Sequence, residues 1–115
     1  MAKRIMFVEG FDGQVELLSD RVIIHRPGIW NMFKYGPNAK REIPIMAISE
    51  VVFKSPMMLG MGSIEFVRSG RSQNEHTKVN YSLVKFKRPK LTEFEMLKEK
   101  IFMLMNELAK QQGNR

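Results

Sequence analysis

Two histidines hold most of what this sequence could offer to acid–base or metal chemistry. His25 ends the strand-like "RVIIHR", and His76 lies far along the chain in the polar run "RSQNEHTK". Neither sits in an HExxH, a histidine–carboxylate cluster at metal-ligand spacing, or a GxSxG. A histidine without such company is most often a surface or satisfied residue, so neither predicts catalysis. Gly60-Met61-Gly62 contains a GxG fragment. A dinucleotide loop, however, must lead into a helix whose N-terminus faces the phosphates. Here "SIEFVRSG" follows and alternates like a strand, so the glycines predict a turn or bulge. With no cysteine, disulfides, thiolate catalysis and cysteine-ligated zinc are excluded. The residues therefore imply no enzyme, cofactor or metal.

Binding chemistry is better represented. The chain has a net charge of +7 and an isoelectric point near 9.9, which invites an anionic partner. Lys85-Phe86-Lys87-Arg88-Pro89-Lys90 is the densest basic segment. Lys34, Lys40 and Arg41 group around Gly36-Pro37, and Arg68 with Arg71 forms a third group. Brought to one end of a barrel, they would bind phosphates of lipid headgroups or nucleic acid. Dispersed over strand ends, they would serve solubility alone. An aromatic-rich RNA-binding signature is absent. In "GIWNMFKYG", strand alternation would place Trp30 and Met32 on one face and Phe33 and Tyr35 on the other. Exposed residues of these types anchor interfaces, which makes this segment a candidate partner-binding patch.

The elements that must position these groups follow from two periodicities. From Ile5 to about Lys87 the pattern is short and period-two, broken by turn residues. "RIMFVEG", "QVELL" and "RVIIHR" read as three strands, with Asp12-Gly13 expected to supply positive φ at the first turn. Pro27-Gly28 closes the third strand. "IWNMFKY", "KREIPI", "ISEVVFK", "SIEFVRSG" and "VNYSLVKFK" read as further strands, with "RSQNEHTK" as an exposed hairpin loop. From about 92 to 111 the pattern is helical. Phe94, Leu97, Ile101, Leu104 and Leu108 recur at spacings of three and four. Thr92 with Glu95 predicts a capping box, and Leu91 with Met96 a hydrophobic staple. Phe102, Met103 and Met105 lie beside the stripe, where they either widen the buried face or form a second contact surface. The expected fold is a single mainly β domain over residues 1–115. About seven antiparallel strands, within 3–88, form a small barrel or sandwich covered by the C-terminal helix.

Several segments together resemble a known family. "GFDGQVEL", "RVIIHRPG", "KREIPIMAISEVVFK", "GSIEFV" and "VKFKRP" leading into a helix are similar to a bacterial pleckstrin-homology-like family of unassigned function. The resemblance spans nearly the whole chain and implies a non-enzymatic binding module. Domains of this type present loops to lipid headgroups, or a helix and a sheet face to proteins. The lipid-binding form carries basic residues in the first strand–loop–strand unit. Here that unit has Glu9, Asp12 and Glu16 and no lysine in its loop, which argues against phosphoinositide recognition.

The expected function is therefore protein–protein interaction, as a small regulator or inhibitor of a larger assembly, with self-association included. Trp30, Met32, Phe33, Tyr35, Phe102, Met103 and Met105 are the expected contact residues. The alternative is an anion-binding module for lipid headgroups or nucleic acid, using Lys34, Lys40, Arg41, Lys85, Lys87, Arg88 and Lys90. No apolar run is long enough to span a bilayer, and the short apolar stretch after Lys3-Arg4 is too brief for a signal peptide. A cytoplasmic location is expected.

Overall fold

Alternation in the first third of the chain is realised as an antiparallel meander. A computed structural model describes residues 3–36, 40–57, 60–68 and 82–113. Strands β1 (Arg4–Glu9), β2 (Gln14–Leu18), β3 (Arg21–His25) and β4 (Arg41–Pro44) form one sheet in that order. A 3-10 turn over Ile45–Ala47 leads into a second sheet of β5 (Ile48–Lys54), β6 (Gly62–Arg68) and β7 (Leu83–Phe86). Another 3-10 turn, Arg88–Lys90, then opens the long helix α2 (Leu91–Gly113). The fold is thus mostly antiparallel β, in two sheets, with one C-terminal helix.

Register sorts the side chains by face. Val8 pairs with Val15, and Val15 with Ile24, and all three are buried. The next row, Phe7–Glu16–Ile23–Glu42, therefore points the other way, because successive strand residues alternate. Inner-face residues of both sheets and the α2 stripe share a single core. Phe86 lies at its centre, stacked on Phe94 with ring centroids 4.4 Å apart and planes 8° apart. Phe94, Leu97 and Ile101 are buried, while Leu104 and Leu108 are partly buried against the same cluster. Met105 widens that face, whereas Phe102 and Met103 remain exposed.

Four sequence expectations are corrected. "IWNMFKY" is a helix, α1 (Ile29–Tyr35), and not a strand. Its closely spaced apolar residues satisfy either period. The outcome is set by Gly28 and Gly36, whose φ of 96° and 90° start and stop a single helical segment. Asn31 donates back to the Pro27 carbonyl at 2.7 Å across the first turn. At the β1–β2 turn, Gly13 does not take positive φ. The constraint falls on Gly10, where a Cβ would lie 2.7 Å from Val84 Cγ1 and 2.8 Å from the Lys85 carbonyl oxygen. The capping box does not form as expected, since α2 already begins at Leu91 and places Thr92 inside its first turn. Nor does Met96 staple to Leu91: it is 58% exposed, while Leu91 packs on the core. The hairpin loop with His76, together with Arg71, Val79 and Tyr81, lies outside the described residues.

The aromatic stack gives a direct test. Phe94→Ala should lower unfolding free energy by about 3–5 kcal/mol in urea titrations. Met103→Ala, on the exposed side of the same helix, should stay within about 0.5 kcal/mol of the native value.

Candidate binding surface

β3 ends with two residues of opposite fate. Alternation places Arg26 on the side of Val22 and Ile24, both buried, while His25 shares the outer side with Ile23. Arg26 is accordingly buried, although it carries a charge. Its Nη1 donates to the Asp12 carbonyl at 2.9 Å, and its Nη2 to the Leu83 carbonyl at 2.6 Å. The guanidinium carbon lies 4.0 Å from the Tyr35 ring centroid, and Nη1 is 3.7 Å from Asp12 Oδ1. Burial pushes the guanidinium below its ordinary pKa, against the pull of Tyr35 and Asp12.

Asp12 completes the node. Its carboxylate accepts from the Tyr35 hydroxyl at 3.2 Å and from the Lys85 backbone N–H at 2.8 Å. The Phe11 N–H in turn donates to the Lys85 carbonyl at 2.7 Å. The β1–β2 turn, the end of β3, α1 and β7 thus meet at one ionic centre. Tyr35 is buried, whereas Trp30 is 83% and Phe33 78% exposed. The rings of Trp30 and Phe33 lie 6.5 Å apart, one helical turn along the same side. Met32 is exposed beside them. Of the expected contact residues, α1 therefore groups Trp30, Met32 and Phe33, and turns Tyr35 inward as their anchor. Phe102, Met103 and Met105 belong to α2, which packs against β1 and the two 3-10 turns.

The basic residues divide similarly. Lys85, through its backbone, shares the node end with Lys34, whose ammonium lies 5.3 Å from the Tyr35 ring centroid. Lys87 stands 5.1 Å from the ring centroid of the exposed Phe11. Lys40 lines the cleft described below, and Arg41 begins β4. Arg88 and Lys90 instead occupy the turn before α2, where Lys90 pairs with Glu93 at 3.3 Å.

On the outer face a second network runs across three strands. Glu16 accepts from His25 Nε2 and from Arg4 Nε, each at 2.9 Å. Arg4 also lies 5.0 Å from the Phe7 ring centroid. These contacts hold the Glu16 carboxyl below its ordinary value, the His25 hydrogen bond contributing most and Arg4 next. An ionised carboxylate only accepts, so the shared proton belongs to His25 Nε2. Between this network and α1 lies an open cleft of about 580 Å³, bordered by Arg4, Phe7, Glu16, His25, Met32 and Lys40 among others.

Sequence reasoning missed both networks. Parity in "RVIIHR" already aligned Arg26 with Val22 and Ile24, which was the available signal. Glu16–His25 is a diagonal contact, visible only once the register Gln14↔His25 and Glu16↔Ile23 is known. Among the described residues, no three His, Cys, Asp or Glu are grouped so as to hold a metal ion. No helix among them is long and apolar enough to cross a membrane. Comparison with protein-family models, curated proteins and solved structures finds no match.

Two measurements follow. Asp12→Ala leaves the Arg26 charge buried without its carboxylate and should cost about 3–5 kcal/mol. Tyr35→Phe, which loses the hydrogen bond to Asp12, should cost about 1 kcal/mol. Glu16 has a folded pKa below its ordinary value of 4.5. Its stabilisation is therefore present above about pH 4.5 and is lost as pH falls through the folded pKa. The stability difference between the native chain and Glu16→Gln should shrink as pH falls over that acid range, read by urea unfolding at each pH.

Proposed function

We propose that this protein is a non-enzymatic binding module of pleckstrin-homology-like type, which docks a protein partner on the exposed side of α1. The observation that carries this reading is the contrast within one short helix. Tyr35 is locked inward by Asp12, while Trp30 and Phe33 are held outward and almost fully exposed. Large aromatic residues kept in water by a fixed scaffold are characteristic binding anchors, because covering them releases much energy at little ordering cost. A small domain of two sheets and a covering helix can present such an anchor without moving parts. A regulator or inhibitor of a larger assembly fits this design, and a second copy of the chain belongs to the same class of partner. The absence of cysteine supports a cytoplasmic setting.

The test compares native protein with Trp30→Ala/Phe33→Ala and with Lys85→Glu/Lys87→Glu as baits in native extract, alongside sedimentation of the free protein. The expected result is a defined protein partner, or a concentration-dependent dimer, that survives high salt. It should be lost in the aromatic variant and retained in the charge variant. Retention in the aromatic variant with loss in the charge variant, and a steep salt dependence, would assign the protein to anion binding instead.

A further inference from the structure

We propose that the cleft between α1 and the outer face of β1, β2 and β3 receives an acidic peptide segment of a partner protein. In this arrangement Arg4 and Lys40 hold its carboxylates, while Phe7 and Met32 seat a neighbouring apolar side chain. The inference rests on the reading that the α1 end docks a protein, and it specifies the chemistry of that protein.

Charge accounting around the cleft selects the acid. Among the described residues, Glu16 is the carboxylate of the wall, and it is already engaged by His25 and Arg4. The Arg26 charge is compensated on its inner side by Asp12. Arg4 engages Glu16 through Nε and is well exposed, so its Nη edge remains for an incoming carboxylate in the forked geometry that guanidinium favours. Lys40 is exposed and also borders the cleft. With Glu16 set against Arg4 and Asp12 against Arg26, Lys40 gives the described residues of the wall a positive balance, and the donors of Arg4 add hydrogen bonds to it, in a chain of net charge +7.

Shape selects a peptide. A volume of about 580 Å³ lies within the range of roughly 300–1,000 Å³ for built ligand sites. The site is concave, and a bilayer surface would bridge such a depression without reaching Glu16, His25 or Phe7. A small anion would occupy only a fraction of the cleft and leave Trp30 and Phe33 in water. A chain segment can place its acidic residues in the cleft while the rest of the partner covers the two rings.

Random short peptides displayed on phage and selected on the intact protein provide the test. Selected peptides, made with a fluorescent label, are titrated by anisotropy against native protein, Arg4→Glu, Lys40→Glu, Lys40→Gln and Trp30→Ala/Phe33→Ala. The expected result is enrichment of aspartate or glutamate beside an apolar residue. Affinity should fall about tenfold or more on either charge reversal and less on Lys40→Gln. Circular dichroism of each variant separates loss of binding from loss of fold. Selected peptides without acidic enrichment, or acidic peptides indifferent to both reversals, overturn the inference. If such neutral peptides are still lost in the aromatic variant, the docking reading stands and only the acidic chemistry fails. If no peptide is selected and phosphatidylserine vesicles bind the protein instead, both fail.

Discussion

Taking a guanidinium out of water costs several kcal/mol unless its charge and its donors are matched. Arg26 imposes that requirement on three other parts of the chain. Asp12 supplies a carboxylate and a carbonyl, Leu83 a second carbonyl, and Tyr35 an aromatic face. These partners come from the β1–β2 turn, β7 and α1, so satisfying one side chain fixes the relation between two sheets and a helix. The Lys85 main chain adds to the same junction through Asp12 and Phe11. The exposed side of α1 inherits its geometry from these contacts. Trp30 and Phe33 face water because Tyr35 does not.

The outer network is of a different kind. Arg4, Glu16 and His25 are bonded across strands at the edge of the solvent, where an ion pair contributes little to stability and is weakened by salt. Its value is positional. Glu16 stands between Arg4 and His25 and orients both, and the Nη edge of Arg4 is left at the border of a concave surface. The buried pair determines where α1 sits, and the exposed one determines the electrostatic character of the space beneath it.

Much of the fold was legible because periodicity and burial agree in it. The strands of "RIMFVEG", "QVELL" and "RVIIHR" and the Phe94–Leu97–Ile101 stripe all lie where their spacing placed them. α1 was not legible as a helix, since seven mostly apolar residues between two turn signals satisfy both periods, and glycine φ values decided the matter. The site was legible only in its parts. Trp30 and Phe33 were recognisable as anchors by type, but their shared side depends on a helical turn. Asp12 looked like a turn residue because nothing local shows that it receives Tyr35 and Lys85 from distant elements. Gly10 likewise was constrained by the approach of β7, a contact made far along the chain.

The separations bridged at the Arg26 centre bear on how the molecule is assembled. Asp12 and Lys85 are 73 residues apart, and Arg26 and Leu83 are 57 apart. By contrast, β1–β2–β3 and β5–β6 are neighbours in sequence and can zip through short loops. Closing the long loops costs chain entropy that only completed sheets can offset. The order of events is then built into the connectivity. β1–β2–β3 and β5–β6 can form from local hairpins, while the contacts of Leu83 and Lys85 wait for β7 to arrive. The support beneath the aromatic platform is therefore complete only once β7 has joined Asp12, Arg26 and Tyr35, three residues that lie close together early in the chain.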